Sequence, residues 1–219
     1  MRTIAVLPVK TFARAKRRLT GCLVAEQRAA LAAAMVADVL AVLRDVAGLD
    51  ELIVVSGEPA MSVKAAEVGA RLLVDEPETS HSRAAARGIK AAMALDATRV
   101  LLVPGDCPAL VAGQLDALLS IRSAGVVVVP DREGSGTNAL LLQPPEVIAP
   151  SFGPGSCSRH VELARGAGVP VDVVPVDCLS LDIDTSADVE AVSALLNNDP
   201  ARAPRTAAVL RTLADTMTA

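Results

Sequence analysis

Two rhythms of apolar residues run through the chain. Short stretches are apolar at every position, as in Ile-Val-Val at 53–55, Val-Leu-Leu-Val at 100–103 and four successive valines at 126–129. Longer stretches repeat apolar residues every three or four positions. A strand with one wet face alternates apolar and polar side chains. A strand apolar throughout is instead covered on both faces, as in a largely parallel sheet with helices above and below. The pattern predicts strands at 3–9, 51–56, 70–74, 99–104, 125–130, 138–142 and 171–176, and helices at 25–46, 60–68, 82–95, 109–122, 156–167 and 186–196. Strands and helices alternating in this way form βαβ units, so the expected fold class is α/β, a three-layer α/β/α sandwich on a mostly parallel sheet. The regularity holds to Pro130, then gives way to a Gly/Ser/Thr loop, a short strand and a long loop over 143–158. This reads as one domain over 1–198, with a regular half (1–130) and an irregular half (131–198). The tail, 199–219, carries Pro200 and Pro204 ahead of a short amphipathic helix at 206–217, docked on the body or on the second subunit of a homodimer.

The composition narrows the partners. Apolar residues make up 52% of the 219 positions, and the mean hydropathy is +0.44. Yet the richest window, 29–43, is interrupted by Asp38. No run reaches the roughly 20 apolar residues of a spanning helix, which excludes a membrane role. There is no Trp or Tyr, and the aromatics are Phe12 and Phe152. With 21 basic against 25 acidic residues, the chain lacks both the stacking platforms and the basic groove of a nucleic-acid binder. The N-terminus runs straight into a strand without a cleavable apolar stretch, so a cytoplasmic location is expected. Cys22, Cys107, Cys157 and Cys178 form no CxxC pair and read as buried thiols in a reducing compartment.

Four constellations carry chemistry. Leu7-Pro8-Val9-Lys10, followed by Ala15-Lys16-Arg17-Arg18-Leu19, places five basic residues (with Arg14) just past the first strand of an acidic chain. Ligands of open α/β sheets sit outside the carboxyl ends of strands. The cluster therefore reads either as a triphosphate site or as a solvated basic loop. Gly105-Asp106-Cys107-Pro108 follows the fourth strand. Asp106 there is either a ligand for a divalent cation or a helix cap. In Leu181-Asp182-Ile183-Asp184-Thr185, residues i and i+2 of an extended segment share a face. Asp182 and Asp184 would then repel unless a cation or a shared proton relieves them; Asp184 capping the helix at Ser186 is the alternative. Finally, Gly134-Ser-Gly-Thr137-Asn138 and Phe152-Gly153-Pro-Gly155-Ser156 offer hydroxyls, glycine turns and a helix N-terminus, which suit an anion. His160, one turn into that helix, reads as a packing histidine rather than a base.

Taken in order, these motifs resemble the family of phosphoenolpyruvate and 2-phospho-L-lactate guanylyltransferases of coenzyme F420 biosynthesis, over residues 3–196. The resemblance implies a Rossmann-like fold akin to nucleotide-diphospho-sugar transferases. It implies transfer from GTP to a small phosphorylated carboxylic acid, with pyrophosphate released and Mg²⁺ required. It places nucleotide binding in the first half, at Pro8, Lys10, Lys16 and Arg18. Acceptor binding falls in the second half, at Thr137, Gly153 and Ser156, with the metal on Asp106, Asp182 and Asp184. Lys16 and Asp106 carry the catalytic roles. The chain departs from the family's pattern at Ser82-Arg83-Ala84-Ala85, where relatives often read Leu-Asn-Ala-Ala. Its Ala- and Arg-rich composition looks bacterial rather than archaeal. Because bacterial members of the family it resembles are associated with phosphoenolpyruvate, the resemblance implies that acceptor, with 2-phospho-L-lactate and 3-phosphoglycerate as the alternatives. The rival classes are a nucleotidyltransferase with another base or acceptor, and a regulatory nucleotide-binding domain.

Overall fold

A computed structural model describes residues 1–121 and 125–218. Its strands are β1 (Thr3–Val9), β2 (Glu51–Ser56), β3 (Arg71–Val74), β4 (Arg99–Leu102), β5 (Gly125–Pro130), β6 (Thr137–Gln143) and β7 (Val171–Val173). Its helices are α1 (Ala25–Arg44), α2 (Met61–Glu67), α3 (His81–Met93), α4 (Ala112–Ser120), α5 (Ser156–Gly166), α6 (Ser186–Asn198) and α7 (Pro204–Thr218). The expected elements are all present. Helix α4 starts three residues later than expected, beyond Pro108, and the expected end at Arg122 lies outside the described residues. Strand β7 stops at Val173, where its register with Val128 ends.

The sheet order is β3-β2-β1-β4-β6-β5-β7. All pairings are parallel except those of β6, which runs antiparallel to both β4 and β5. Asp131 accepts hydrogen bonds from the N–H groups of Ser135 (2.9 Å) and Gly136 (2.8 Å). This closes a tight loop between β5 and β6, and strands joined by a hairpin are necessarily antiparallel. The reversal brings the first residues of β6 to the same edge as the carboxyl ends of β1 and β4.

Alternate strand residues feed two cores. Ala5, Leu7 and Val9 of β1, with Val127 and Val129 of β5, pack with α1, α2, α4, α6 and α7. Ile4, Val6, Val126 and Val128 pack with α3 and α5 on the other face. The unbroken apolar runs are this double burial. On the second face Gly88 lets α3 lie against β1: a Cβ there would come within 2.2 Å of Val6. No described helix is long and apolar enough to cross a membrane. Three of the cysteines are buried as expected, but Cys22, in the loop before α1, is exposed.

Asp38, which breaks the apolar window of α1, anchors the C-terminal helix to the body of the protein. Its carboxylate is 2% exposed and accepts from Thr206 N and Thr206 Oγ1, both at 2.8 Å. Asp38→Ala leaves both donors unsatisfied in the interior. The expected loss is about 2–3 kcal/mol of unfolding free energy, measured by urea denaturation. A loss under about 0.5 kcal/mol would mean that this junction is wetter than the geometry implies.

Candidate active site

The carboxyl ends of β1 and β4 and the start of β6 open onto one cleft of about 790 Å³. Strand order reverses direction between β1 and β4, which is where an open α/β sheet leaves room for a ligand. All ten residues singled out from the sequence line this cleft: Pro8, Lys10, Lys16, Arg18, Asp106, Thr137, Gly153, Ser156, Asp182 and Asp184.

At its centre is an ion cluster. Lys16 adopts a left-handed backbone (φ 53°, ψ 41°), a conformation costing a non-glycine residue about 1 kcal/mol. Its ammonium donates to Asp106 Oδ2 at 2.6 Å and Asp184 Oδ1 at 2.9 Å, and its side chain is only 6% exposed. Burial works against that charge, but the two carboxylates outweigh it and keep Lys16 protonated far above neutral pH. Burial likewise opposes ionisation of Asp106, and Lys16 reverses the balance, holding the carboxyl below its usual range. Ile183 N donates to Asp106 O at 3.1 Å, which ties the 181–184 segment to the end of β4. Ile183 is fully buried, leaving Asp182 and Asp184 to line the cleft. The segment belongs to no helix and to no strand of the sheet. Asp182 accepts from Asn138 Nδ2 at 3.2 Å. Its carboxyl is nevertheless pushed up to about 6, first by burial and then by Asp106 and Asp184. The cluster therefore keeps surplus negative charge even with Lys16 in place. Neither aspartate acts as the helix cap weighed above. Thr185 caps α6, Asp188 takes the N–H groups of Asp184 and Thr185, and α4 has no side-chain cap.

The basic loop is shaped by carboxylates that the sequence did not single out. Glu78 accepts from Thr11 N (2.6 Å) and Thr11 Oγ1 (2.8 Å), and Glu58 accepts from Phe12 N at 2.9 Å. Phe12 and Leu19 are buried as anchors. Lys10, Arg14, Arg17 and Arg18 stay exposed, with Arg18 3.6 Å from Asp184. A long-range clamp of this kind leaves no periodic signal. Arg83, at the departure from the family's pattern, is exposed and off the cleft, while its neighbour Ser82 accepts from Phe152 N at 2.9 Å.

Across the cleft lie Thr137, Gly153 and Ser156. Gly153 (φ 119°) and Gly155 (φ 68°) take backbone conformations that favour glycine, and they turn the chain into α5. One expectation needs correction. The amides at the start of α5 are not all available to an anion, because Ser156 N bonds Gly153 O (3.0 Å) and Cys157 N bonds Ser135 O (3.1 Å). The turn and the β5–β6 loop fold onto them. The available donors are hydroxyls: Ser156 is 1% exposed, and among the described residues nothing in the chain pairs with its Oγ. His160 is buried, as a packing histidine should be.

Residues 3–201 match the family model described as "Guanylyl transferase CofC like". The chain is 44% identical, over 97% of each sequence, to a phosphoenolpyruvate guanylyltransferase of Conexibacter woesei. It is 32% identical to a 2-phospho-L-lactate guanylyltransferase of Methanothermobacter thermautotrophicus, over 86% of this chain and 83% of the relative. Among solved structures, a nucleotidyl transferase of the same archaeon superposes with a TM-score of 0.64 at 20% identity, covering 90% of this chain and 98% of the other. That likeness places the fold among Rossmann-like α/β nucleotidyltransferases. The chain belongs to the CofC-like guanylyltransferase family.

Proposed function

We propose that the protein joins GTP to phosphoenolpyruvate, giving enolpyruvoyl-2-diphospho-5'-guanosine and pyrophosphate in the cytoplasmic synthesis of coenzyme F420. The observation that carries this reading is the cleft itself. A buried lysine held between two partly exposed carboxylates shares its cavity with a pocket where the Ser156 hydroxyl has no partner among the described residues. A phosphorylated acid needs the second, and a transferring nucleotide needs the first.

The phosphate oxygen of the acceptor attacks the α-phosphorus of GTP, the bond to the β-phosphate bridging oxygen breaks, and pyrophosphate leaves. A phosphate monoester is already anionic at neutral pH, so the step needs no strong base. Positioning and charge neutralisation supply the catalysis. Lys16 and the exposed Lys10 and Arg18 face the triphosphate, with Pro8 shaping the wall of the cleft. Thr137 and Ser156 donate to the acceptor beside Gly153. Asp106, Asp182 and Asp184 are hard oxygen donors; burial first, and then the charges of Asp106 and Asp184, raise the Asp182 carboxyl, and such a crowded set fits a divalent cation. Among the described residues they do not form a ready three-ligand cage, consistent with Mg²⁺ taking part of its shell from phosphates and water. When bound there, Mg²⁺ would neutralise charge on the phosphates.

Pyrophosphate release from GTP, measured with phosphoenolpyruvate, 2-phospho-L-lactate and 3-phosphoglycerate in turn, tests the reading. The greatest kcat/KM is expected with phosphoenolpyruvate; GTP binding without release on any acceptor overturns the assignment. Ser156→Ala is expected to raise the acceptor KM about tenfold, the scale of one lost hydrogen bond to a charged group, with the KM for GTP unchanged. Equal rises in both would move Ser156 out of the acceptor pocket.

A further inference from the structure

The protein has two histidines, and the hydrogen bonds of one of them fix its chemical state. The backbone N–H of Ser151 donates to His160 Nε2 at 2.9 Å. An amide nitrogen can only donate there, so Nε2 carries no proton. A neutral imidazole then carries its proton on Nδ1. Nδ1 lies 3.0 Å from Thr137 Oγ1, and with the proton on Nδ1 the ring is the donor in that bond. The threonine hydroxyl thus accepts from the ring and keeps its own proton for another partner. Among the described residues, no acceptor in the chain takes it, and Thr137 lines the cleft.

The ring is held in place as well as in tautomer. Phe152 packs edge-on against His160 with centroids 5.3 Å apart, and against His81 at 4.8 Å. His160 is fully buried. Burial, with Arg159 adding to it, brings its pKa down to about 4, so the ring stays neutral at working pH.

We propose that His160 is a positioning residue, which donates from Nδ1 to Thr137 and so commits the Thr137 hydroxyl to donate into the cleft, toward an anionic acceptor. The inference rests on the acceptor-pocket role of Thr137. It assigns the histidine a task in substrate recognition distinct from acid–base chemistry. A ring flipped so that its unprotonated nitrogen faced Thr137 would turn the hydroxyl into a donor to the protein, presenting lone pairs to an anion.

The test has two arms on the full chain. The first is ¹⁵N NMR of the histidine side chains, assigned with His160→Gln. The expected spectrum shows His160 neutral and Nδ1-protonated from pH 8 down to about 5.5, still above its depressed pKa. An Nε2-protonated ring or an imidazolium in that range overturns the proposal, without requiring any variant to be active. The second arm separates the two ring nitrogens. Asn places its amide near the position of Nδ1, and Gln reaches the position of Nε2. His160→Gln is expected to raise the acceptor KM roughly three- to tenfold, with kcat and the KM for GTP within about twofold. His160→Asn should restore the acceptor KM even where it costs stability. In a Thr137→Val background His160→Gln should add nothing, because the hydroxyl it orients is gone. If Thr137→Val raises the acceptor KM but His160→Gln does not, or if the Asn and Gln variants are equally impaired, the positioning role fails alone. If Thr137→Val leaves the acceptor KM unchanged, the acceptor-pocket role of Thr137 fails, and the positioning role falls with it.

Discussion

Asp106→Asn is expected to lower turnover by two to four orders of magnitude, the scale at which an active site loses a principal charge that orders transferring phosphates. Asn keeps the volume of Asp but offers one neutral oxygen to Lys16 in place of a carboxylate. Because Lys16 is 6% exposed and bonds Asp106 at 2.6 Å, the change also leaves a buried ammonium with Asp184 as its remaining partner, and stability should fall. Asp182→Asn should lower turnover too, yet shift stability the other way. The Asp182 carboxyl is pushed up to about 6 by burial and by its acidic neighbours, so the native protein holds that proton more firmly than the unfolded chain. The wild type therefore loses stability as pH rises from about 4 through 6, and the asparagine variant escapes this loss. In chelator, at neutral pH, Asp182→Asn should be more stable than wild type by about 1–2 kcal/mol, with the gap closing toward pH 4. Urea titrations across this range measure it. Equal destabilisation by both substitutions would mean that the three aspartates form a structural hydrogen-bond network, with no accumulation of charge.

The divergence between two aspartates assigned the same role marks where sequence reasoning stops. The apolar runs at 53–55, 100–103 and 126–129 disclosed the sheet because double burial is a local property: each residue states its own preference. The placement of Asp106 at the cleft was also legible, since the carboxyl ends of parallel strands in an open α/β sheet share an edge, whereas Thr137 reaches that edge only because β6 is reversed. What was not legible depends on pairs far apart in the chain. The contact from Lys16 to Asp106 spans 90 positions and that to Asp184 spans 168. A basic cluster in isolation reads equally as a phosphate site or a wet loop. Glu58 and Glu78, which hold that loop, sit in unremarkable polar stretches. The reversed direction of β6 follows from Asp131 closing the 131–136 turn, a side-chain event invisible to apolar periodicity. The availability of amides at the start of α5 was overestimated for the same reason: a helix N-terminus advertises free N–H groups, but Ser135 O and Gly153 O had the geometry to take two of them.

Lys16→Met gives the most distinctive result expected of this site. Methionine fills most of the aliphatic volume and removes the ammonium. Asp106, Asp182 and Asp184 then face one another without their buried counter-charge. Breaking a buried ion pair from one side typically costs about 3–5 kcal/mol; with the carboxylates partly open to the cleft (33% and 40% side-chain exposure for Asp106 and Asp184), a loss of about 2–3 kcal/mol at neutral pH is expected. The sign with pH follows from the carboxylates. In the wild type Lys16 holds the Asp106 carboxyl below its usual range, so this stabilisation is present above about pH 4 and fades as acid protonates Asp106. The deficit of Lys16→Met should accordingly be greatest near neutrality and shrink in acid. Turnover should fall by about two to three orders of magnitude, with the KM for GTP raised. The decisive readout is thermal. In the wild type a divalent cation must compete with the ammonium for Asp106 and Asp184, whereas in Lys16→Met it meets unpaired oxygens. Mg²⁺ without nucleotide should therefore raise the melting temperature of Lys16→Met more than that of the wild type, by a margin that grows with concentration as mass action requires. An equal or smaller shift in the variant would place the metal away from these carboxylates and leave Lys16 with the phosphates alone.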